Sequence, residues 1–210
     1  MSEVILYDYW RSSAAYRVRI ALRLKGVAYR AVTIDLAKGE QGSAEFRARN
    51  PLALIPVLEI DGEQFSQSLA IIDYLDATRP EPRLLPADPA CRARVLAKAM
   101  TIISEIHPLQ NLRVANFLRD ELGQDAEAVT RWLHRWVGDG LAALEASALD
   151  SGLFGGENPD LVDLCLVPQM YSARRFMVPL ERFPRLVRLD EALRMIPAFA
   201  AAAPEAVKPE

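Results

Sequence analysis

Two adjacent serines, Ser12 and Ser13, stand where a strand-like pattern gives way to a helical one. Serine is a preferred residue at a helix N-terminus, because its side-chain oxygen can accept a hydrogen bond from a backbone N–H of the first turn. The same end of a helix carries partial positive charge, which stabilises an anion. The pair therefore predicts either a helix cap alone, or a cap that also holds a reacting group at the positive end of the helix.

Gln67 and Ser68 form a second polar pair, between a predicted strand and the helix that follows it. Ser68 is predicted to be an N-cap, and the free N–H groups of a helix N-terminus suit a carboxylate. Gln67 adds a neutral donor and acceptor, which suits an amino-acid head group such as a γ-glutamyl moiety. Capping and an ordinary strand end explain the pair equally well.

The composition indicates an ordinary soluble globular protein that acts on small molecules. The chain has 210 residues, of which 51% are hydrophobic and 25% charged, and its net charge is -3. This balance does not favour nucleic acid or a membrane surface as a partner. Cys91 and Cys165 lie far apart, and His107 and His134 have no ligand spacing, so neither a disulfide framework nor a metal site is expected. The first residues carry no targeting signal, which predicts a cytoplasmic location.

The first eighty residues alternate between patterns typical of strands and of helices. The predicted strands cover residues 4–10, 28–36, 55–60 and 63–67, and the predicted helices cover residues 13–25, 43–50 and 68–80. Asp61 and Gly62 are typical of a type I′ turn, which makes the last two strands an antiparallel hairpin. The first two strands are joined by a helix and are predicted to be parallel. This order, βαβ, short α, ββα, is that of a thioredoxin-like domain.

Ile55-Pro56 lies at the start of the third predicted strand. Proline cannot donate a hydrogen bond to a sheet and is tolerated mainly at the edge or the first position of a strand. In a thioredoxin-like domain this proline is cis, which turns the backbone N–H and C=O of Ile55 outward, where an extended peptide can pair with them. A trans proline at the strand entry is the alternative.

A proline-rich stretch, residues 80–90, marks a boundary between two domains. Four prolines in eleven residues predict a stiff linker, and only helical patterns follow it. The predicted domains are residues 1–81 and 91–210, with a linker at 82–90. Helices of the second domain are predicted at residues 91–122, 125–150, 160–176 and 186–203.

Two pairs of residues in the second domain are interpreted as structural. Asp160 and Asp163 have the spacing of a capping box, so they are expected to begin a buried helix. Trp132 and Trp136 are four residues apart on one helix face and are assigned to the core or to an interface.

Several motifs, in one order along nearly all of the chain, resemble those of the zeta class of glutathione transferases. They are RSSAAYRVRIALRLKG, NPLALIPVLEIDG, QSLAIIDYL, TRPEPRLLP, HPLQN and DLCLVPQMYSARRF. The resemblance implies the glutathione transferase fold, in which an α/β thioredoxin-like domain precedes an all-α helical bundle. It also implies glutathione as the cofactor and a homodimer. The class pattern is usually Ser-Ser-Cys, whereas this chain has Ala14 at the third position.

The resemblance assigns Ser12 as the catalytic residue, with Ser13 beside it. In the family, the first serine hydrogen-bonds the thiolate of glutathione while the helix N-terminus adds positive charge, and both effects lower the pKa of the thiol. Ala14 is expected to change turnover or side reactions without abolishing thiolate formation, because the usual cysteine neighbours the sulfur and does not supply it. The residues that the resemblance places around glutathione are Gln41, Ile55, Pro56, Gln67, Ser68, His107 and Asn111.

The activity that the resemblance implies is a glutathione-dependent cis–trans isomerisation, in which maleylacetoacetate becomes fumarylacetoacetate during aromatic catabolism. A thiolate adds reversibly to the cis double bond, which then rotates as a single bond. Such dicarboxylic diketo acids require cationic partners. Arg11, Arg113 and Arg175 match carboxylate-binding positions of the family, although each alone has the features of an ordinary surface arginine.

Three alternatives remain open at this stage. Within the class, the substrate is maleylpyruvate, or the enzyme is a zeta-type transferase that acts on α-haloacids. Outside it, the chain is a noncatalytic binding module with the same fold. The joint presence of Ser12, Ile55-Pro56 and Gln67-Ser68 favours an enzyme, because a binding module has no need of a thiolate site.

Overall fold

The chain divides into two units, which are Met1–Arg83 together with Ile196–Glu210, and Leu84–Met195. The computed structural model describes residues 3–209. Among these residues, no helix is both long enough and apolar enough to cross a membrane.

The first unit is built on a four-stranded sheet in the order β2-β1-β3-β4. Its elements are β1 (Ile5–Asp8), α1 (Ser13–Leu24), β2 (Arg30–Thr33), a 3-10 turn (Glu40–Gly42), α2 (Ala44–Arg49), β3 (Val57–Ile60), β4 (Glu63–Ser66) and α3 (Ser68–Thr78). β1 is parallel to β2 and antiparallel to β3, and β3 is antiparallel to β4. The predicted thioredoxin-like order is therefore confirmed.

The strands are shorter than the sequence pattern predicted. The predicted first strand ends at Asp8 because the chain then turns, with the N–H of Ser12 donating to the carbonyl of Tyr9 at 2.8 Å. The second strand was predicted over residues 28–36, but only Arg30–Thr33 pair with β1. The predicted hairpin turn is confirmed, since Asp61 and Gly62 both have positive φ, at 56° and 85°.

The regular secondary structure described in the second unit consists of helices, apart from one isolated bridge between Leu153 and Gly156. Its elements are α4 (Pro89–Met100), a π-helix (Thr101–Ile106), α5 (Leu112–Asn116), a second π-helix (Phe117–Glu121), α6 (Ala126–Ser147), α7 (Leu161–Arg175) and α8 (Pro184–Arg194). The helical stretch predicted over residues 91–122 is divided into these first four elements, with the break at Pro108, where a proline is expected to kink or restart a helix. Pro108 lacks a backbone N–H, and the chain makes a turn there before Asn111 caps α5.

Two segments lie differently from the predicted domain division. Residues 84 and 85, predicted as linker, are buried leucines of the second unit, and the carbonyl of Leu84 accepts a hydrogen bond from Leu161 N at 2.9 Å. The last segment, with α9 (Pro197–Ala200) and α10 (Pro204–Val207), belongs to the first unit. There the hydroxyl of Tyr16 donates to the Phe199 carbonyl at 3.4 Å.

Gly140 marks a close approach of α6 to the first π-helix, because a Cβ atom at this position would overlap the side chain of Ile106. We expect Gly140→Ala to lower the free energy of unfolding by about 1–3 kcal/mol through overpacking. Gly138, in the same helix, faces open space, so Gly138→Ala is expected to be neutral or stabilising by up to about 1 kcal/mol. Urea unfolding of both variants checks this, and equal effects would contradict the packing argument.

Candidate active site

Ser12 caps α1, as predicted. Its Oγ accepts a hydrogen bond from Ala15 N at 3.2 Å, and its backbone is extended, at φ -69° and ψ 118°. A hydroxyl has one donor and two acceptor positions, so this cap leaves the O–H proton available to a ligand. Ser12 is half-buried, whereas Ser13 is the first residue of the helix and is buried. Ser12 can therefore cap the helix and donate a hydrogen bond at the same time.

The peptide bond between Ile55 and Pro56 is cis, which confirms the predicted geometry. Asn50 fixes the loop before it, since Asn50 Nδ2 donates to the Leu54 carbonyl at 2.6 Å and its Oδ1 accepts from Leu52 N at 3.2 Å. Within residues 3–209, the backbone N–H and C=O of Ile55 have no hydrogen-bond partner. Asn50 was not among the predicted site residues, although Asn-Pro is itself a turn signal.

Gln67 and Ser68 differ from their predicted roles. Gln67, not Ser68, occupies the N-cap position of α3; it has a positive φ of 68°, and its side chain makes no capping hydrogen bond. Ser68 is the buried first residue of the helix, and its Oγ accepts a hydrogen bond from Arg17 Nη1 at 3.4 Å. The prediction of a Ser68 cap was wrong because Gln67, with its positive φ, already occupies the N-cap position, which leaves Ser68 inside the first turn, in contact with Arg17 of α1.

These segments meet at one edge of the sheet. Tyr7 of β1 pairs with Val57 of β3, and Val57 pairs with Ser66 of β4. β1 therefore leads into the Ser12 turn at the same edge at which Pro56 precedes β3 and Gln67 follows β4. The N-termini of two helices, α1 and α3, lie at this edge, and such ends favour bound anions.

Gln41 lies in the 3-10 turn after β2. The atom Gln41 Oε1 is buried and, in the described part of the chain, accepts no hydrogen bond. Buried amide oxygens usually have a partner, so this atom is suited to a ligand N–H group.

In the second unit, the turn that carries His107 and Asn111 is held by two side-chain contacts. Gln110 and Gln169 exchange a reciprocal pair of hydrogen bonds at 3.0 and 2.9 Å, and Trp132 Nε1 donates to the Leu109 carbonyl at 2.8 Å. Asn111 itself caps α5, because its Oδ1 accepts from Arg113 N at 3.1 Å. These contacts fix the turn. Trp132 and Trp136, which were predicted to lie in the core or at an interface, are half-buried and exposed respectively, so neither is a core residue.

The three predicted carboxylate-binding arginines are all exposed. Arg11 lies in the first unit, where its guanidinium stacks on Trp10 at 4.8 Å and Nη2 donates to the Tyr9 hydroxyl at 3.2 Å. Arg113 and Arg175 lie in the second unit, and Arg175 stacks on Phe176 at 4.6 Å. Only Arg11 shares a turn with Ser12.

Among the described residues, no group of His, Cys, Asp and Glu could hold a metal ion.

Residues 6–83 match the family model for the glutathione S-transferase N-terminal domain. The chain is 48% identical to maleylacetoacetate isomerase from Rhizobium meliloti, over 99% of each chain. It is also similar to a holo structure of maleyl pyruvate isomerase, a bacterial zeta-class glutathione S-transferase, with a TM-score of 0.94 and 40% identity over 97% of this chain and 98% of that one. Maleylacetoacetate isomerase from Anaeromyxobacter dehalogenans, solved with glutathione bound in its active site, is 42% identical, with a TM-score of 0.86 and coverage of 98% and 97%.

Proposed function

Since this chain belongs to the glutathione transferase family, among the glutathione-dependent isomerases of its zeta class, we propose that it converts maleylacetoacetate to fumarylacetoacetate. One observation carries the proposal: Ser12, cis Ile55-Pro56 and Gln67 lie at one edge of a thioredoxin-like sheet. The edge combines a hydroxyl donor at a helix N-terminus with backbone groups that can pair with a peptide.

The groups at this edge suit glutathione. Its peptide backbone can pair with the N–H and C=O of Ile55, which have no partner in the described residues. The unpartnered Gln41 Oε1 can accept one of its N–H groups. Gln67 and the N–H groups at Ser68 suit the γ-glutamyl end, whose carboxylate is favoured at a helix N-terminus.

Bound glutathione supplies a thiolate that adds reversibly to the cis double bond. Ser12 donates a hydrogen bond to the sulfur, and the N-terminus of α1 adds positive charge, so both hold the pKa of the thiol below its usual range. Ser13, beside it, supports the same helix end. His107 and Asn111 bind or orient the ligands from the turn that Gln110 and Trp132 hold rigid.

The arginines are proposed to bind the two carboxylates of the substrate. Arg11 lies next to Ser12, and neither Arg11 nor Arg113 forms an ion pair within the described residues, so their charges are available. Arg175 completes the set by resemblance to the family.

Maleylpyruvate is the second candidate substrate, because the similar holo structure with a TM-score of 0.94 is a maleylpyruvate isomerase. A glutathione-dependent assay with maleylacetoacetate and maleylpyruvate side by side separates the two. The higher kcat/KM is expected with maleylacetoacetate, and turnover of neither substrate would refute the isomerase proposal. A transferase on α-haloacids would instead release halide from such a substrate.

We also propose a homodimer and a cytoplasmic location, both on the resemblance to the family. Light scattering after size-exclusion chromatography tests the first, and fractionation of the source cells tests the second.

Removal of a substrate-binding arginine should affect one KM only. We expect Arg11→Met and Arg113→Met each to raise the KM for the dicarboxylic substrate about tenfold, as expected for a lost charge-assisted hydrogen bond of roughly 1.5 kcal/mol, while the KM for glutathione is unchanged. Arg131, an exposed arginine paired with Glu127 in α6, provides the matched control Arg131→Met, which should leave both KM values unchanged. An arginine whose variant keeps the wild-type KM has no role in substrate binding.

A further inference from the structure

Arg19 lies in the second turn of α1 and is fully buried. Its Nη1 donates to both carboxylate oxygens of Asp8, at 2.7 and 2.9 Å. Its Nη2 donates to the carbonyl of Trp10 at 3.0 Å, and its Nε donates to the carbonyl of Ala202 at 3.0 Å. One guanidinium therefore joins the end of β1, the turn before α1 and the C-terminal segment of the same unit.

The turn that Arg19 holds is the one that carries Ser12. Asp8 ends β1, Trp10 lies in the middle of the turn, and the N–H of Ser12 closes it on the Tyr9 carbonyl at 2.8 Å. Asp8 and Trp10 are anchored by Arg19 on either side of Tyr9. The backbone that leads into α1 is thus held by the side chain of Arg19, which belongs to α1 itself.

Lysine could not replace these contacts. A guanidinium is a planar fork with five N–H groups, and Arg19 uses it toward a carboxylate and two carbonyls in different directions. An ammonium at the end of a flexible chain could keep the charge beside Asp8, but not all three anchors. The contacts therefore depend on the shape of the arginine and not only on its charge.

The positive charge of Arg19 is neutralised by the adjacent carboxylate of Asp8. Asp8 is also buried, and burial raises the pKa of its carboxyl while the neighbouring Arg19 opposes that effect. Because the two charges form a close pair at 2.7 Å, they add little net field at Ser12. The pair therefore acts on Ser12 mainly by fixing the position of the backbone, and not through its electric field.

We propose that Arg19 is a positioning residue for Ser12: it fixes the turn of residues 9–12 and, with it, the orientation of the hydroxyl that activates glutathione. This inference rests on the proposed function. The C-terminal segment takes part as the third anchor, through the Ala202 carbonyl.

The test compares Arg19→Lys and Asp8→Asn with the wild type. Arg19→Lys keeps the charge and loses the fork, whereas Asp8→Asn keeps one acceptor and removes a negative charge. Two quantities are measured: the pKa of enzyme-bound glutathione, from the ultraviolet absorbance of its thiolate, and the hydrogen exchange of the Ser12 and Ala15 amides in the enzyme without glutathione. We expect both variants to raise the thiol pKa by about half to one unit and to speed exchange roughly fivefold, as expected for loss of a hydrogen bond worth about 1 kcal/mol.

Lys25→Met is the control, because it removes another ion pair with a buried carboxylate, to Asp76, at the C-cap of α1, about 18 Å along the helix axis from Ser13. It should lower the melting temperature and leave the thiol pKa at the wild-type value. A role through charge alone predicts no change in Arg19→Lys and a lower thiol pKa in Asp8→Asn, so either result overturns the proposal. If Arg19→Lys does not fold, Asp8→Asn decides by the sign of its shift. Absence of a bound thiolate in the wild type refutes the proposed function instead, while the exchange measurement still tests the anchoring of the turn.

Discussion

Replacement of Ser12 by alanine is expected to raise the pKa of bound glutathione by about one to two units, because a hydrogen bond to a charged group is worth about 1.5–3 kcal/mol. Loss of a donor to a developing or full negative charge in an active site typically lowers kcat by about 10²–10³-fold, and we expect kcat/KM to fall by a similar factor. Steady-state assays with maleylacetoacetate and titration of the bound thiolate check the two effects.

Ser12→Ala also removes a helix cap, so the effect on chemistry needs a matched control. Ser43 caps α2 with the same geometry, its Oγ accepting from Phe46 N at 3.2 Å, the distance found between Ser12 Oγ and Ala15 N. Both Ser12→Ala and Ser43→Ala are expected to lose about 1 kcal/mol of stability, but only the first should lose activity. Equal activity in the two variants would show that Ser12 is a cap and nothing more.

Local signals in the sequence predicted most of the first unit. The Ser12 cap and the Asp61-Gly62 turn follow from the chemistry of a few neighbouring residues, and both are confirmed. Ile55-Pro56 was predicted to be cis from the order of the elements around it, and it is cis. Features that depend on residues close in sequence, or on the order of elements, were therefore accessible before the structure.

Features set by distant contacts were not predicted. Arg17 and Arg19 were not distinguished from surface arginines, because only the fold shows that one reaches Ser68 and the other reaches Asp8 and Ala202. For the same reason, residues 196–210 were placed in the second domain, whereas they belong to the first unit. A helical pattern indicates a helix, but it does not indicate which domain the helix packs against.

The candidate site was predicted in part. The resemblance to the family supplied Arg113, Arg175 and His107, which no local pattern distinguishes. The anchors that hold the site, such as the pair formed by Gln110 and Gln169, are 59 positions apart and leave no periodic trace in the sequence. Their discovery required the structure.

Removal of an aspartate of the capping box at the start of α7 is expected to cause a large loss of stability. Asp160 accepts from Val162 N and Asp163 N, and Asp163 accepts in turn from three backbone N–H groups, those of Phe154, Gly155 and Asp160, at 3.0–3.1 Å. Asp163 is fully buried, so its removal leaves these donors without an acceptor. We expect Asp163→Ala to lower the free energy of unfolding by about 3–5 kcal/mol, measured by urea unfolding.

An exposed cap is the control for this effect. Asp125 begins α6 and accepts from Ala128 N at 2.7 Å, in contact with solvent. Water can replace that acceptor, so Asp125→Ala is expected to cost only about 1 kcal/mol. If the two substitutions cost the same, burial of the Asp163 donors is not what makes the box strong.

The carboxyl of Asp163 also makes the free energy of unfolding depend on pH. Burial, together with the neighbouring Asp160 carboxylate, raises the pKa of Asp163 to about 7 from its ordinary 3.8. Because the folded state then holds the proton more tightly than the unfolded state, the contribution of this group is greatest at low pH and is lost as pH rises toward 7. The side chain in Asp163→Asn cannot titrate. As pH increases from about 4 to about 7, the free energy of unfolding of the wild type should therefore fall relative to that of Asp163→Asn. A difference that stays constant across this range would mean that the three N–H donors keep Asp163 ionised in the folded protein throughout.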